Sequence, residues 1–184
     1  ISVDSSTMMN KVFEIIEAKK IFNINYDKLD ILIHPNSYIH AIVEFKNKMI
    51  SMIAHNTTMD IPIFNTLYLN KEINYTSSTS KLDLIKLNNL SLMKIDLKKF
   101  PLVRILNKLP KNDSLFETAL VAANDELVNL YLNKKINYNQ ISSKLMKIIS
   151  FSDIKLLKKK YPKTLADILK VNMYVRSKIK SICH

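Results

Sequence analysis

A chain of 184 residues without a single glycine lacks the one residue that enters the left-handed backbone region at no steric cost. Tight turns and helix C-caps call for that region. Asparagine, aspartate, lysine or serine must therefore fill those positions, each at some penalty. Isoleucine, lysine and asparagine are abundant, a bias most simply explained by an AT-rich genome. Otherwise the composition is that of a globular protein, 47% hydrophobic and 24% charged, with enough length for a real core in one domain or two small ones.

The formal charge is +12, from 28 Lys+Arg against 16 Asp+Glu. A basic balance can mark nucleic-acid or anionic-membrane binding. Here the lysines are scattered, and Arg104 and Arg176 are the only arginines. Lys158-Lys159-Lys160 is one short run with no aromatic interleaving for base stacking. A solvated helix face is the better reading, which argues against a nucleic-acid module; such a module would also show salt-sensitive binding. Anionic substrates would still benefit from the positive field. Cys183 is the only cysteine, so no internal disulfide can form and a reducing compartment is permitted. No apolar run approaches the length of a membrane span.

The patterning predicts an α+β chain. An extended start leads into a helix near 6–22, with Ser5, Ser6 and Thr7 as candidate N-caps. Strands follow near 29–34, 40–46 and 49–54; the last two flank Lys46-Asn47-Lys48 and read as a hairpin with Asn47 as its turn residue. Residues 66–98 form a connecting region with a polar break at Thr76-Ser77-Ser78-Thr79-Ser80, one short helix and one strand. Beyond Pro101 the pattern is helical. Ser114 and Glu117 form a capping box, and Leu115, Ala119, Ala122, Ala123 and Leu127 keep helical spacing to about Leu132. Ile141, Leu145, Ile148 and Ile149 make a second stripe. Ser152 and Asp153 cap a short third helix ending at Tyr161-Pro162, and Leu165, Ile168, Leu169, Val175 and Ile179 make a fourth. Four amphipathic helices with short connections predict a bundle.

The first helix carries the chemistry. Asn10, Glu14 and Glu17 share one face, with Lys11 beside Glu14 and apolar residues on the remaining sides. Such a polar stripe is expected to line a cleft, and hydroxyls with free amides at a helix start make a plausible phosphate seat. Read without further context, Lys11 and Glu14 are equally an ordinary helical ion pair.

The stretch Val3-Asp4-Ser5-Ser6-Thr7-Met8-Met9-Asn10-Lys11-Val12-Phe13-Glu14 closely resembles the substrate-binding helix of the 1-deoxy-D-xylulose 5-phosphate reductoisomerase family. Four further blocks follow in the same order as in that family: Ile31 to His40, like its His-Pro-Gln-Ser-x-x-His motif; Met59-Asp60-Ile61-Pro62-Ile63; Phe100-Pro101-Leu102; and Leu120 to Asp125, like its Leu-Asn-Ala-Ala-Asn-Glu motif. The family chain is about twice this long, so the sequence resembles its C-terminal half, which agrees with an Ile at position 1 and a fragment or processed product.

The resemblance implies the end of a mixed α/β catalytic domain at 1–65, a linker with a dimer-sheet strand at 66–98 and a C-terminal four-helix domain at 99–184. It implies an oxidoreductase and isomerase of the non-mevalonate isoprenoid pathway. The family converts 1-deoxy-D-xylulose 5-phosphate to 2-C-methyl-D-erythritol 4-phosphate with NADPH and Mg²⁺ or Mn²⁺. It further implies a homodimer without nucleic-acid or membrane partners, in a bacterial cytoplasm or a plastid or apicoplast stroma. Glu14 would be the metal carboxylate and, with Lys11 and His40, catalytic; Ser5, Asn10, Lys11 and Met59 would hold substrate. His34 and Ser37 read as structural. The NADPH-binding residues and the other metal ligands would lie outside this chain, which alone should not turn over. Departures from the family pattern are Val12, Lys48 and His55 where glycine is usual, Thr57-Thr58 for Pro-Asp, Asp60 for Arg, Val121 for Asn, and Asp125 for Glu. They point to lowered efficiency; the alternative is a non-catalytic remnant or dimerisation subunit of the same family.

Overall fold

Among the described residues of this computed structural model (2–69, 71, 73, 75 and 84–183), five take the positive φ that glycine would normally supply. They are Met8 (62°), Asn23 (51°), Ser37 (49°), Lys48 (71°) and Lys134 (58°). Asparagine, serine and lysine were expected there; a methionine was not. Each marks a junction. Met8 separates α1 (Ser2–Thr7) from α2 (Met9–Phe22), and Asn23 closes α2 with its N–H on the Lys19 carbonyl. Ser37 forms a turn back to the His34 carbonyl after β1 (Leu32–Ile33). Lys48 turns the chain between β2 (Ile39–Glu44) and β3 (Ile50–Ala54). There follow α3 (Asp60–Leu67), α4 (Leu84–Asn88), β4 (Met93–Lys94), α5 (Leu115–Leu132), α6 (Tyr138–Ile148), α7 (Ser152–Leu156) and α8 (Leu165–Cys183). Short 3-10 segments lie at Tyr26–Lys28, Pro101–Lys108 and Leu157–Lys159. The architecture is α+β, as the patterning predicts.

Contacts divide the chain into two units, Ile1–Ile31 with Asp96–His184, and Leu32–Ile95. In the first, one apolar core is built from Met9, Val12 and Ile16 of α2, Leu102 and Ile105 of the 3-10 segment, and Phe116, Leu120 and Leu127 of α5. Ile141 and Leu145 of α6, Ile154 of α7, and Val175 and Ile179 of α8 complete it. The helix bearing the polar stripe thus shares its core with the helices beyond Pro101. Val12, expected to crowd its neighbours where glycine is usual, is wholly buried in this core.

The Ser114 box forms as read: the Ser114 Oγ accepts from Phe116 N (3.1 Å), and Glu117 Oε2 accepts from Ser114 N (3.1 Å). Asn137 and Gln140 make a second, unforeseen capping box on α6. At the far end of α2, Lys19 and Lys20 both reach Asp113 Oδ1, at 2.9 and 3.3 Å. The Lys19 hydrogen bond holds the Asp113 carboxyl below its ordinary value, against a smaller opposing effect of burial. Between α5 and α8, Arg176 donates to Asp125 (2.9 Å) and to the buried Glu126 (3.5 Å).

Among its described residues the second unit holds two separate antiparallel pairs, β1 with β4 and β2 with β3. The hairpin is present, but the left-handed residue is Lys48. Asn47 instead accepts from Met49 N through its side chain (3.1 Å), while Lys48 N bonds the Phe45 carbonyl (2.9 Å). A non-glycine residue in this conformation is strained by about 1–2 kcal/mol. Lys48→Gly is therefore expected to stabilise the hairpin by about 0.5–1 kcal/mol after the entropy of the freer unfolded chain and the exposed Glu44 ion pair are set against it. A rise in the chemical denaturation midpoint checks this; a fall would refute it.

Several expectations need correcting. The start of the chain is helical from Ser2, not extended. The hydroxyls near it cap nothing: Ser6 and Thr7 donate back to the Val3 and Asp4 carbonyls at 2.8 and 3.3 Å, and the N-cap position of α2 is Met8. The strand near 29–34 shrinks to two residues, because the Asp30 side chain takes the Ile31 N–H at 2.8 Å and so competes with a ladder. The third helix of the bundle is preceded by Phe151, without a side-chain cap, and passes into the 3-10 segment ending at Lys159. Helix α3 was not foreseen. The polar break at 76–80 lies outside the described residues. Among those described, no helix is long and apolar enough to cross a membrane.

Candidate functional site

The left-handed kink at Met8 starts α2 one residue before Asn10, so the helix opens directly on the polar stripe. Lys11 Nζ lies 2.7 Å from Glu14 Oε2 and 3.0 Å from Oε1, donating to both carboxylate oxygens. Asn10 Nδ2 reaches Glu14 Oε1 at 3.5 Å. Three of the expected residues therefore meet on one helical turn. The stripe faces outward within this chain: the Lys11 and Glu14 side chains are 43% and 52% exposed, where a cleft was expected. Asn10 Oδ1 is buried with no hydrogen-bond partner among the described residues.

An exposed i,i+3 pair is worth about 0.2–0.5 kcal/mol. It yields readily when stronger partners arrive, leaving a carboxylate for a cation and an ammonium for a phosphate. The donor set suits a hard divalent ion: one carboxylate, with an amide oxygen one turn back. It is an incomplete set. No three His, Cys, Asp or Glu side chains converge among the described residues, so Glu14 can be one ligand and not a whole site. No residue of this chain forms a glycine-rich phosphate turn, since the chain has no glycine.

Ser5 lies on α1 and is exposed; its carbonyl accepts from Met8 N at 3.2 Å, which holds the kink. Two contacts from the C-terminal helices tie α1 down. The fully buried Asn124 of α5 donates to Asp4 Oδ1 at 2.7 Å, and the Tyr138 hydroxyl donates to Ser6 Oγ at 3.0 Å. Sequence reasoning saw Asn124 only as part of a motif. Its role depends on a partner 120 positions away, which no periodicity reports; the only signal was a polar residue within an otherwise apolar helix face.

His40 and Met59 belong to the second unit. His40 Nε2 lies 3.0 Å from the His55 carbonyl oxygen, and its ring stacks on that of His55. Met59 precedes α3 and is 70% exposed. His34 Nδ1 lies 3.2 Å from the Ser91 carbonyl, a structural contact. The Asp60 carboxyl is held below its ordinary value by hydrogen bonds from Thr58 and then Tyr75. Val121 is exposed on α5, while Asp125 keeps a carboxylate on Arg176.

Comparison with known proteins brings these features under one heading. Residues 55–178 match the family described as DXP reductoisomerase C-terminal domain. A protein named 1-deoxy-D-xylulose 5-phosphate reductoisomerase from Pelagibacter ubique is 52% identical over 99% of this chain and 46% of its own length. One of the same name from Clostridium novyi is 34% identical over 98% and 45%. The reductoisomerase from Zymomonas mobilis, solved in complex with NADPH, superposes with a TM-score of 0.84 at 29% identity, covering 100% of this chain and 47% of that one. A further reductoisomerase structure, with NADPH, fosmidomycin and magnesium, gives 0.85 at 27% identity, covering 100% and 45%. The chain spans about half the length of the curated relatives it matches.

Proposed function

The chain belongs to the 1-deoxy-D-xylulose 5-phosphate reductoisomerase family, and from that premise we propose that it forms part of an enzyme converting this sugar phosphate to 2-C-methyl-D-erythritol 4-phosphate with NADPH. The observation that carries the reading is the clustering of Asn10, Lys11 and Glu14 on the first full turn of α2. Glu14 is one oxygen ligand to Mg²⁺ or Mn²⁺; Lys11 and Ser5 bind the substrate phosphate, and Asn10 turns its amide to a substrate hydroxyl. The metal, when bound, supplies Lewis-acid polarisation of a substrate oxygen.

The work of this chain's own residues is placement. Lys11 adds charge where the ester sits, and the buried Asn124–Asp4 bond with the shared core of α2 keeps that turn from shifting. Fixed geometry of this kind is what lets binding lower a barrier. The overall positive charge favours arrival of an anionic substrate. By resemblance, His40 is a further catalytic residue in this reading and Met59 a further substrate contact. What supports a homodimer is the β2–β3 hairpin, whose Val43, Phe45, Ile50, Met52 and Ile53 are all exposed.

The test is NADPH consumption by the full-length polypeptide with 1-deoxy-D-xylulose 5-phosphate. Turnover is expected with Mg²⁺ or Mn²⁺, loss of it with EDTA, and recovery when metal is returned. No NADPH consumption with that substrate and either metal would overturn the reading.

A further inference from the structure

Helix α1 is six residues long, too short to hold its shape in water by its own hydrogen bonds. The left-handed turn at Met8 separates it from α2, so α2 does not carry it as an extension. Its place must come from what packs against it. Val3 rests on the apolar core and Thr7 is buried. Two polar contacts come from the helices beyond Pro101, and Ser5, which lies between the residues they hold, is exposed.

The first contact runs from Asn124 of α5 to Asp4 Oδ1, at 2.7 Å. A carboxylate oxygen accepts, so the Asn124 amide must turn its Nδ2 toward Asp4 and its Oδ1 away. That Oδ1 is buried and has no hydrogen-bond partner among the described residues, while Asn124 as a whole is fully buried. A buried acceptor left unmet lowers stability, and an apolar side chain of similar size would avoid the loss. Asn124 is thus a poor core residue by packing alone. What it supplies is a directed hold on α1.

The second contact comes from Tyr138, the first residue of α6. Asn137 N donates to the Gln140 side chain at 2.8 Å and fixes the start of that helix. The Tyr138 ring meets Tyr131 of α5 edge-on, with centroids 6.0 Å apart and planes at 68°. Its hydroxyl donates to Ser6 Oγ at 3.0 Å, because Ser6 gives its own hydrogen to the Val3 carbonyl at 2.8 Å. Asp4 and Ser6 are the neighbours of Ser5 in sequence. Helices α5 and α6 therefore grip α1 on both sides of it.

We propose that Asn124 and Tyr138 are positioning residues for the substrate phosphate: both act by fixing α1, and with it Ser5, ahead of the Met8 turn. The inference rests on the reading of Ser5 and Lys11 as the phosphate-binding residues. A helix already fixed loses little freedom when the anion arrives. A loosened α1 must be ordered at each binding event, which weakens affinity.

The test uses the full-length polypeptide and three readouts: KM against kcat for 1-deoxy-D-xylulose 5-phosphate, the inhibition constant of inorganic phosphate, and the melting temperature. In Asn124→Leu, KM and the phosphate constant should rise together by about 3–10-fold, with kcat changed less than KM. The melting temperature should equal or exceed that of the wild type, since the unmet acceptor is gone. Tyr138→Phe keeps the ring against Tyr131 and should raise the same two constants by about 2–4-fold. Asp4→Asn retains an oxygen to accept from Asn124 and should stay close to wild type. A lower melting temperature in Asn124→Leu with both constants unchanged is the mark of a purely structural residue and would overturn the proposal. So would wild-type constants in Tyr138→Phe, a variant that leaves the core untouched. Lys11→Ala separates the two levels. A raised phosphate constant there, beside wild-type constants in the α1 variants, removes the positioning role alone; an unchanged one removes the phosphate reading and the proposal with it.

Discussion

Glu14→Gln is expected to lower kcat of the full-length enzyme by on the order of 10²–10³-fold while leaving its melting temperature almost unchanged. The substitution preserves shape and one carbonyl oxygen but removes the negative charge, which is what a hard divalent ion selects in this ligand. The magnitude corresponds to removing one preorganised charge-stabilising group from a reacting centre. Stability should move by no more than about 0.5 kcal/mol, because the Lys11–Glu14 pair is exposed on both sides. The split between the two readouts is the useful part. A helix-supporting ion pair would show a small stability loss with no kinetic loss; a metal ligand shows the reverse, together with a higher Mg²⁺ requirement. Lys11→Ala, beside it, should raise KM more than it lowers kcat, since in the proposed site its charge acts on a phosphate that takes no part in bond making. Wild-type turnover in Glu14→Gln would remove Glu14 from the metal.

How much of this was legible from the sequence follows the reach of each signal. The Ser114–Glu117 box was readable because its partners lie three residues apart and reciprocate. The stripes of α5 and α6 were readable because burial repeats at helical spacing, whereas on α8 Val175 and Ile179 are buried and Leu165 and Leu169 of the expected stripe are exposed. The grouping of Asn10, Lys11 and Glu14 on one turn was equally local. The failures are competitions that local rules do not decide. Ser6 and Thr7 are good caps in isolation, yet with α1 wound ahead of them their hydroxyls find carbonyls three residues back. Helix α3 starts at Asp60 with Pro62 in its first turn, where a missing N–H costs nothing; read as a breaker, the proline hides the helix. The kink at Met8 and the bulge at His40 are tertiary decisions. In a chain without glycine no residue announces them, which is why Met8 went unforeseen and Lys48 showed only through the family resemblance.

The largest stability loss should come from Phe116→Ala. Phe116 is wholly buried at the start of α5, within the core shared by α2, α5, α6 and α8. Lys158 Nζ sits 4.7 Å over its ring, and burial, with repulsion from Lys108 and Lys155, lowers the pKa of that ammonium. Truncation removes the transfer energy of the ring, leaves a cavity that rigid helices fill only partly, and strips the cation of its aromatic face. The first two effects together cost about 3–5 kcal/mol, and the third adds about 0.5–1 kcal/mol for a cation that remains partly solvated. Against a typical total of about 5–15 kcal/mol, roughly a quarter or more of the stability is at stake. Phe116→Leu, which keeps most of the volume, should cost about 1.5 kcal/mol or less. The loss should also reach the candidate site, because α5 carries Asn124, whose amide holds Asp4 just ahead of the Met8 kink. Amide hydrogen exchange should therefore quicken at the α1–α2 junction as well as in α5. Unaltered exchange at Met9–Lys11 with clear destabilisation of α5 would mean that the first helical turn of the site is held by something other than the core beneath it.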